Sequence, residues 1–252
     1  MPFRSIVRNV FSVGAVLLVA LAGTAFGEHD GSDILDLSRH MIELERAGEY
    51  ASALPLAEHA LSSSEQTLGL EHPTVAVYAE HLATLHQMTG ATGKAEPLFL
   101  RALGIQERQL GTEHPAVAST LNHMARLYMT TKQPAKAEVL LQRALKIREK
   151  TLSPEHPATA MILGNLGVLY ESEGQYAKAE PLLQRTLAIQ EKALGPTAPN
   201  VATSLENYAH LLRKMDRADQ AAPLEARAMA IRKNLPVIRQ DHPKKAGEEE
   251  KK

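Results

Sequence analysis

Apolar residues follow two patterns along this chain of 252 residues. Near the N-terminus they gather in one run, Val10 to Leu21. From about residue 32 onward they recur every three or four positions, the spacing that places side chains on one face of a helix. Leu163, Leu166, Gly167 and Tyr170 carry this spacing and predict a helix from about Pro157 to Glu173. Ala179, Leu182, Leu183, Thr186, Leu187 and Ile189 carry it again and predict a second helix from about Gln175 to Ala193. Gly174 lies between them, where a glycine closes a helix in the left-handed conformation. Small residues at Gly167 and Ala179 let the two backbones approach closely.

This two-helix pattern repeats with a fixed step of 42 residues, as from His72 to His114 to His156. The most visible copies are Leu68-Gly-Leu-Glu-His-Pro73, Leu110-Gly-Thr-Glu-His-Pro115 and Leu152-Ser-Pro-Glu-His-Pro157, fading into Leu194-Gly-Pro-Thr-Ala-Pro199. Other columns keep the same step. Ala53, Ala95, Ala137, Ala179 and Ala221 form one; Ala60, Ala102, Ala144, Thr186 and Ala228 a second; Ile105, Ile147, Ile189 and Ile231 a third. Gly48, Gly90 and Gly174 share a column with Lys132 and Asp216. A fixed period in this range marks a repeat architecture. Five units follow, at about 32–69, 70–111, 112–153, 154–195 and 196–235. Pro55, Pro97, Pro181 and Pro223 fall inside the second helices, near their N-terminal ends, where a missing N–H does least damage.

The columns Leu166-Gly167-x-x-Tyr170, Gly174-x-Tyr176-x-x-Ala179-Glu180 and Arg185-x-Leu187-x-Ile189-x-Glu191-Lys192 resemble tetratricopeptide (TPR) repeats. More narrowly, they resemble the 42-residue repeats of kinesin light chains. The resemblance covers about residues 32–235. It implies an all-α fold, a right-handed α-solenoid of about five helix-turn-helix units. It also implies that the first helices line a concave groove, which in this family takes peptides or partner proteins.

Composition narrows the function. Lys and Arg number 28 against 29 Asp and Glu, so no global charge draws the chain to nucleic acid. There is no Cys, which excludes disulfides, thiolate metal sites and Cys nucleophiles. Residues 1–27 read as a signal peptide that is removed. Arg4 and Arg8 form its positive region, Val10 to Leu21 its apolar region, and Ala25-Phe26-Gly27 its small-residue cleavage site. The apolar run is short for a membrane span, which wants roughly 20 residues. An uncleaved anchor is the competing reading, and the membrane enters only through it. Either way the repeats, residues 28–235, are expected to be exported, periplasmic or secreted. Residues 236–252, ending in Lys244-Lys245-Ala-Gly-Glu-Glu-Glu-Lys-Lys252, read as a disordered charged tail.

The Glu-His pairs invite a chemical reading. His72, His114 and His156 follow Glu71, Glu113 and Glu155. Each pair lies one whole unit from the next, whereas zinc ligands must converge to roughly 2 Å from the metal. A helix start explains the residues better: Pro at the first helical position, His as the N-cap, Glu near the positive end of the dipole. His81 and His123 share a column with Asn165 and Asn207, either a hydrogen-bonded ladder or separate solvated groups. His86 replaces Tyr128 and Tyr170 on the buried face and reads as a hydrogen-bonded core residue. No phosphate loop and no nucleophile elbow appears. We expect no enzyme, no cofactor and no metal site.

By the family pattern, the groove side of the first helices carries Glu80, Thr84, Gln87, Asn122, Arg126, Met129, Val168, Glu171, Glu206, His210 and Arg213, with Ser38, Ile42, Glu45 and Gly164 completing the rows. Relatives that clamp a C-terminal carboxylate use Lys, Arg and Asn here. Only Asn122, Arg126 and Arg213 match, in two non-adjacent units, so no such clamp is implied. Kinesin-type relatives often carry Asn at the Asn122 position of successive units; Glu80, Gly164 and Glu206 replace it, so their peptide preference is not carried over. Arg126 and Arg213 are expected to meet acidic groups of a partner, and Glu80, Glu171 and Glu206 basic ones. The columns Lys94, Lys136, Lys178 and Arg101, Arg143, Arg185, Arg227 read as a solvated face or inter-unit ion pairs. The expected function is an exported scaffold that binds a protein or peptide in its groove. The alternative is a structural, self-associating part of an envelope assembly.

Overall fold

The structure is a computed structural model that describes residues 31–234, with side chains from residue 36 onward. The segments read from the sequence as a signal peptide, residues 1–27, and a charged tail, residues 236–252, lie outside the described residues. Within them are ten α-helices and no strand: α1 Gly31–Ala47, α2 Tyr50–Leu68, α3 Pro73–Met88, α4 Thr92–Leu110, α5 Pro115–Thr130, α6 Pro134–Thr151, α7 Pro157–Ser172, α8 Tyr176–Leu194, α9 Pro199–Lys214 and α10 Ala218–Lys233. Each odd-numbered helix pairs with the next to make one unit, and each even-numbered helix packs on the first helix of the following unit. Successive first helices also touch each other, α3 with α5, α5 with α7 and α7 with α9, more closely than successive second helices do. The first helices therefore form the tighter, inner layer, and the second helices the outer one.

The joints behave as their residues dictate. His72, His114 and His156 take extended backbone, and each Nδ1 accepts a hydrogen bond from the N–H two residues on, at 3.2, 3.1 and 3.1 Å. That satisfies one of the amides a helix start leaves free. The prolines sit at the first turn of the following helix. The Glu residues reach forward to the second helix of the unit they open: Glu71 accepts from Arg108 of α4, Glu113 from Lys150 of α6 and Glu155 from Lys192 of α8. Between the two helices of a unit the chain turns through one left-handed residue. Gly48, Gly90 and Gly174 have φ of 79°, 83° and 73°, and Lys132 and Asp216 hold the same place at 58° and 57°. The column is thus a backbone requirement, met by glycine without strain and by Lys132 and Asp216 with some.

Packing follows the columns. Ala53, Ala95, Ala137, Ala179 and Ala221 are all fully buried, and the isoleucine column is buried throughout. α7 and α8 approach so closely that a Cβ on Gly167 would lie 2.7 Å from Leu183 Cδ2. The proline column is accommodated: α2, α4, α8 and α10 run continuously through Pro55, Pro97, Pro181 and Pro223. The arginine column forms the inter-unit pairs, Arg101 with Glu65, Arg143 with Glu107, Arg185 with Glu149 and Arg227 with Glu191. Lys136 and Lys178 lie over the rings of Tyr128 and Tyr170, at 4.9 and 5.1 Å. One core expectation is corrected. His86 is buried, but its Nδ1 has no hydrogen-bond partner among the described residues. Tyr128 and Tyr170 in that column reach outward to Glu96 and Glu138, which the shorter imidazole does not do.

Candidate functional site

The inner layer carries the polar residues selected from the sequence, and most of them are locked together. Ser38 is buried against the Tyr78 hydroxyl at 3.2 Å, and Glu45 pairs with His81. Thr84 is buried, its hydroxyl donating to the Glu80 carbonyl at 2.9 Å. Glu80 is the most heavily engaged. Its Oε1 lies 2.7 Å from His123 Nδ1, and its Oε2 accepts from Gln106 Nε2 at 3.2 Å and from Thr120 Oγ1 at 2.5 Å. Burial by itself pushes the Glu80 carboxyl up, but the hydrogen bond and charge of His123, with Thr120 and Gln106, outweigh it and hold it below its ordinary value. The other carboxylates are also paired: Glu171 with His210 at 2.5 Å, and Glu206 with Arg232 at 2.7 and 2.9 Å. Burial dominates at Glu171 and leaves its carboxyl above the ordinary value despite His210. Arg213, exposed, forks onto Glu225 at 2.5 and 2.6 Å.

The His/Asn column forms rungs between units and not along itself. His81 meets Glu45, His123 meets Glu80, and Asn165 Nδ2 donates to Asn122 Oδ1 at 2.7 Å. Each rung joins the column to the groove row of the preceding unit. The next rung would join Asn207 to Gly164, which has no side chain to offer. An open cleft lies there. Asn122 and Arg126 of α5, Gly164 and Asn165 of α7, Thr186 and Gln190 of α8, and Ser204 and Asn207 of α9 line it. No acidic residue does.

Arg126 stands apart from the other charged groups of this face. It is only 7% exposed, and no hydrogen bond or ion pair to its guanidinium occurs among the described residues. Burial pushes its pKa down to about 10, so it stays charged at neutral pH. A buried guanidinium without an anion is costly, because lost hydration is replaced by nothing. Gln87, Met129 and Val168 are half-buried on the same layer and add amide and apolar surface. The sequence placed all of these residues on one side of the first helices. It did not pair them, and it missed Gln106, Thr120, Gln190, Ser204 and Arg232. For Gln106, Gln190 and Arg232 a signal was available, since with Arg148 they hold one column on the second helices.

Comparison with known proteins supports the architecture. By sequence, no curated protein matches the chain. Among solved structures, a protein of Podosopora anserina described as a kinesin light chain with nearly identical TPR-like repeats is 28% identical, with a TM-score of 0.63 over 82% of this chain and 97% of that one. BtubC (BKLC) from P. vanneervenii shares the fold at 22% identity, with a TM-score of 0.69 over 100% of this chain and 99% of that one. PilW, described as a widely conserved type IV pilus biogenesis factor, shares it at 19% identity and a TM-score of 0.58, over 83% and 80% of the two chains. The sequence profile named Tetratricopeptide repeat matches at residues 37–108, 81–150, 116–192 and 160–234, and with ten helices paired on that same period, the chain belongs to the tetratricopeptide repeat family.

Proposed function

We propose that this protein is an exported scaffold whose concave, first-helix face holds a protein partner. The fold is one that serves as a protein-interaction scaffold. The observation that carries the reading is the open cleft between α5, α7 and α9. The equivalent space in the unit of Glu80 is filled by the chain's own side chains, and here it is left free. Export rests on the N-terminal sequence, with its two arginines, apolar run and small-residue cleavage site. Among the described residues no helix is long and apolar enough to cross a membrane.

The test is site-specific crosslinking in the native cell envelope or medium. A photoreactive residue replaces Val168, half-buried on the inner layer, and in a second strain replaces Val139, exposed on the outer one. A discrete partner protein captured from position 168 and not from 139 is the expected result. Equal capture from both positions, or capture from neither, overturns the reading.

A second reading, self-association, draws on the end of the solenoid. Met229 occupies the column of Leu61, Leu103, Leu145 and Leu187, which are buried or half-buried, yet it is 72% exposed. Sedimentation over a wide concentration range separates the two readings, since a monomer throughout removes the second.

A further inference from the structure

We infer that the cleft at Gly164 is a seat for the side-chain carboxylate of an acidic residue in a partner segment, held by Arg126, Gln190 and Asn207. The inference rests on the proposal that the concave face holds a protein partner. Its support is a filled copy of the same seat inside the chain.

That copy lies two 42-residue steps earlier. Glu80 stands where Gly164 stands, Gln106 where Gln190 stands, Thr120 where Ser204 stands, and His123 where Asn207 stands. In the earlier unit the donors converge on the Glu80 carboxylate, which accepts from Gln106 at 3.2 Å, from Thr120 at 2.5 Å and lies 2.7 Å from His123. In the later unit the frame is retained. Ser204 Oγ donates to Gln190 Oε1 at 2.7 Å, the same distance at which Thr120 Oγ1 meets Gln106 Oε1. This fixes the amide of Gln190 in the orientation of Gln106, so its Nε2 is the donor left over. No acceptor for that Nε2 occurs among the described residues. Only the carboxylate is missing, because Gly164 carries no side chain.

Charge points the same way. Ile42 holds, toward Glu80, the place that Arg126 holds toward Gly164. The chain thus sets a buried, unpaired guanidinium beside the seat whose column residue has no side chain, and an apolar residue beside the seat that Glu80 fills. Nothing blocks the space. A Cβ on Gly164 would meet only Thr186, at 3.3 Å from Cγ2, and Thr186 is the one polar residue in a column otherwise of alanine. Preorganised donors in a buried site, with a cation and no competing acid, favour a single carboxylate.

Side-chain NMR of the purified protein tests this, following the Arg126 Nε–H and the Gln190 and Asn207 amide signals at constant ionic strength. The probe is N-acetylglutamate N-methylamide, which presents one side-chain carboxylate. We expect saturable shifts of these signals, and none with the neutral N-acetylglutamine N-methylamide. Stronger binding of N-acetylalanine, whose only carboxylate is terminal, or of inorganic phosphate, overturns the assignment; so do equal shifts with the neutral probe. Arg126→Ile copies Ile42, and Gly164→Glu with Thr186→Ala copies Glu80 and Ala102. Each is expected to weaken the probe about tenfold or more, the worth of one charge-assisted hydrogen bond. Each is also expected to raise the thermal midpoint, one by removing the unpaired charge and the other by pairing it. Unchanged probe binding in a folded variant overturns the seat. The wider reading fails separately. A partner crosslinked at position 168 equally in wild type and both variants overturns the seat and leaves the groove. No crosslink in any of them overturns the groove, while the probe titration still decides the seat.

Discussion

Glu80 and Gly164 hold the same position in units two repeats apart, and they leave their neighbours in opposite states. Around Glu80 every donor has its acceptor, and the inner layer is closed. Around Gly164 the corresponding helices two units on present the same kinds of donor to an open cleft, with Arg126 unpaired at its side. The backbone that positions these groups is shared, so the difference is made by side chains alone. In a repeat protein one unit serves as the control for another. What is constant between units holds the stack together, and what departs from the column is free to recognise something else.

The comparison breaks most visibly at Glu80. Glu80→Ala removes the acceptor for Gln106, Thr120 and His123 and turns a closed cluster into an open one. Leaving several buried donors unsatisfied is expected to cost about 3 kcal/mol, read as a lower urea midpoint with an unchanged slope. A loss below about 1 kcal/mol would mean that the cluster is not what closes this unit.

Acid sharpens the same comparison with a smaller effect. The Glu80 carboxyl is held below its ordinary value in the fold, with His123 its nearest charged partner and Arg148 also within its field. A carboxyl depressed in the folded state contributes stability that is fully present above its unfolded value of about 4.3. That stability is lost as pH falls through the lower, folded value. Glu80→Gln cannot titrate. The gap in urea midpoint between wild type and Glu80→Gln is therefore expected to shrink between about pH 6 and pH 3. A gap that stays constant would show that the carboxylate charge contributes nothing.

The smallest effect tests the premise that all units share one backbone. Lys132 adopts the left-handed turn that Gly48, Gly90 and Gly174 adopt in their units. Lys132→Gly exchanges a strained lysine for the residue the turn prefers. It is expected to raise stability by about 0.5 to 1 kcal/mol, after the entropy that glycine costs the unfolded chain. Thermal unfolding of the variant measures it, and a fall in midpoint would mean that the third unit turns differently from the rest.

Much of this was legible beforehand. The Glu-His-Pro joints read correctly as helix starts, because capping is local: His72 bonds an amide two residues away. The buried alanine and isoleucine columns read correctly because burial repeats with the period. The pairing of the inner layer did not read. Glu80 was expected to face a basic partner, yet it accepts from Thr120 and His123, one unit on. Arg213 was expected to face an acidic one, yet it forks onto Glu225 in its own unit. Such partners lie across a helix interface, where spacing in the sequence does not say which side chain reaches which.

The sequence by itself determined the repeat, its five units and the family. Those follow from local propensity and from a period that any two copies reveal. Only the tertiary structure decided which inward groups neutralise one another and which is left over. Arg126 and Arg213 are the same residue type on the same face. One is half exposed with a carboxylate in its fork, and the other is buried with none. The reason is geometric: a charge is satisfied or orphaned by what its neighbouring helices bring within hydrogen-bonding distance, and that is fixed only when the units stack.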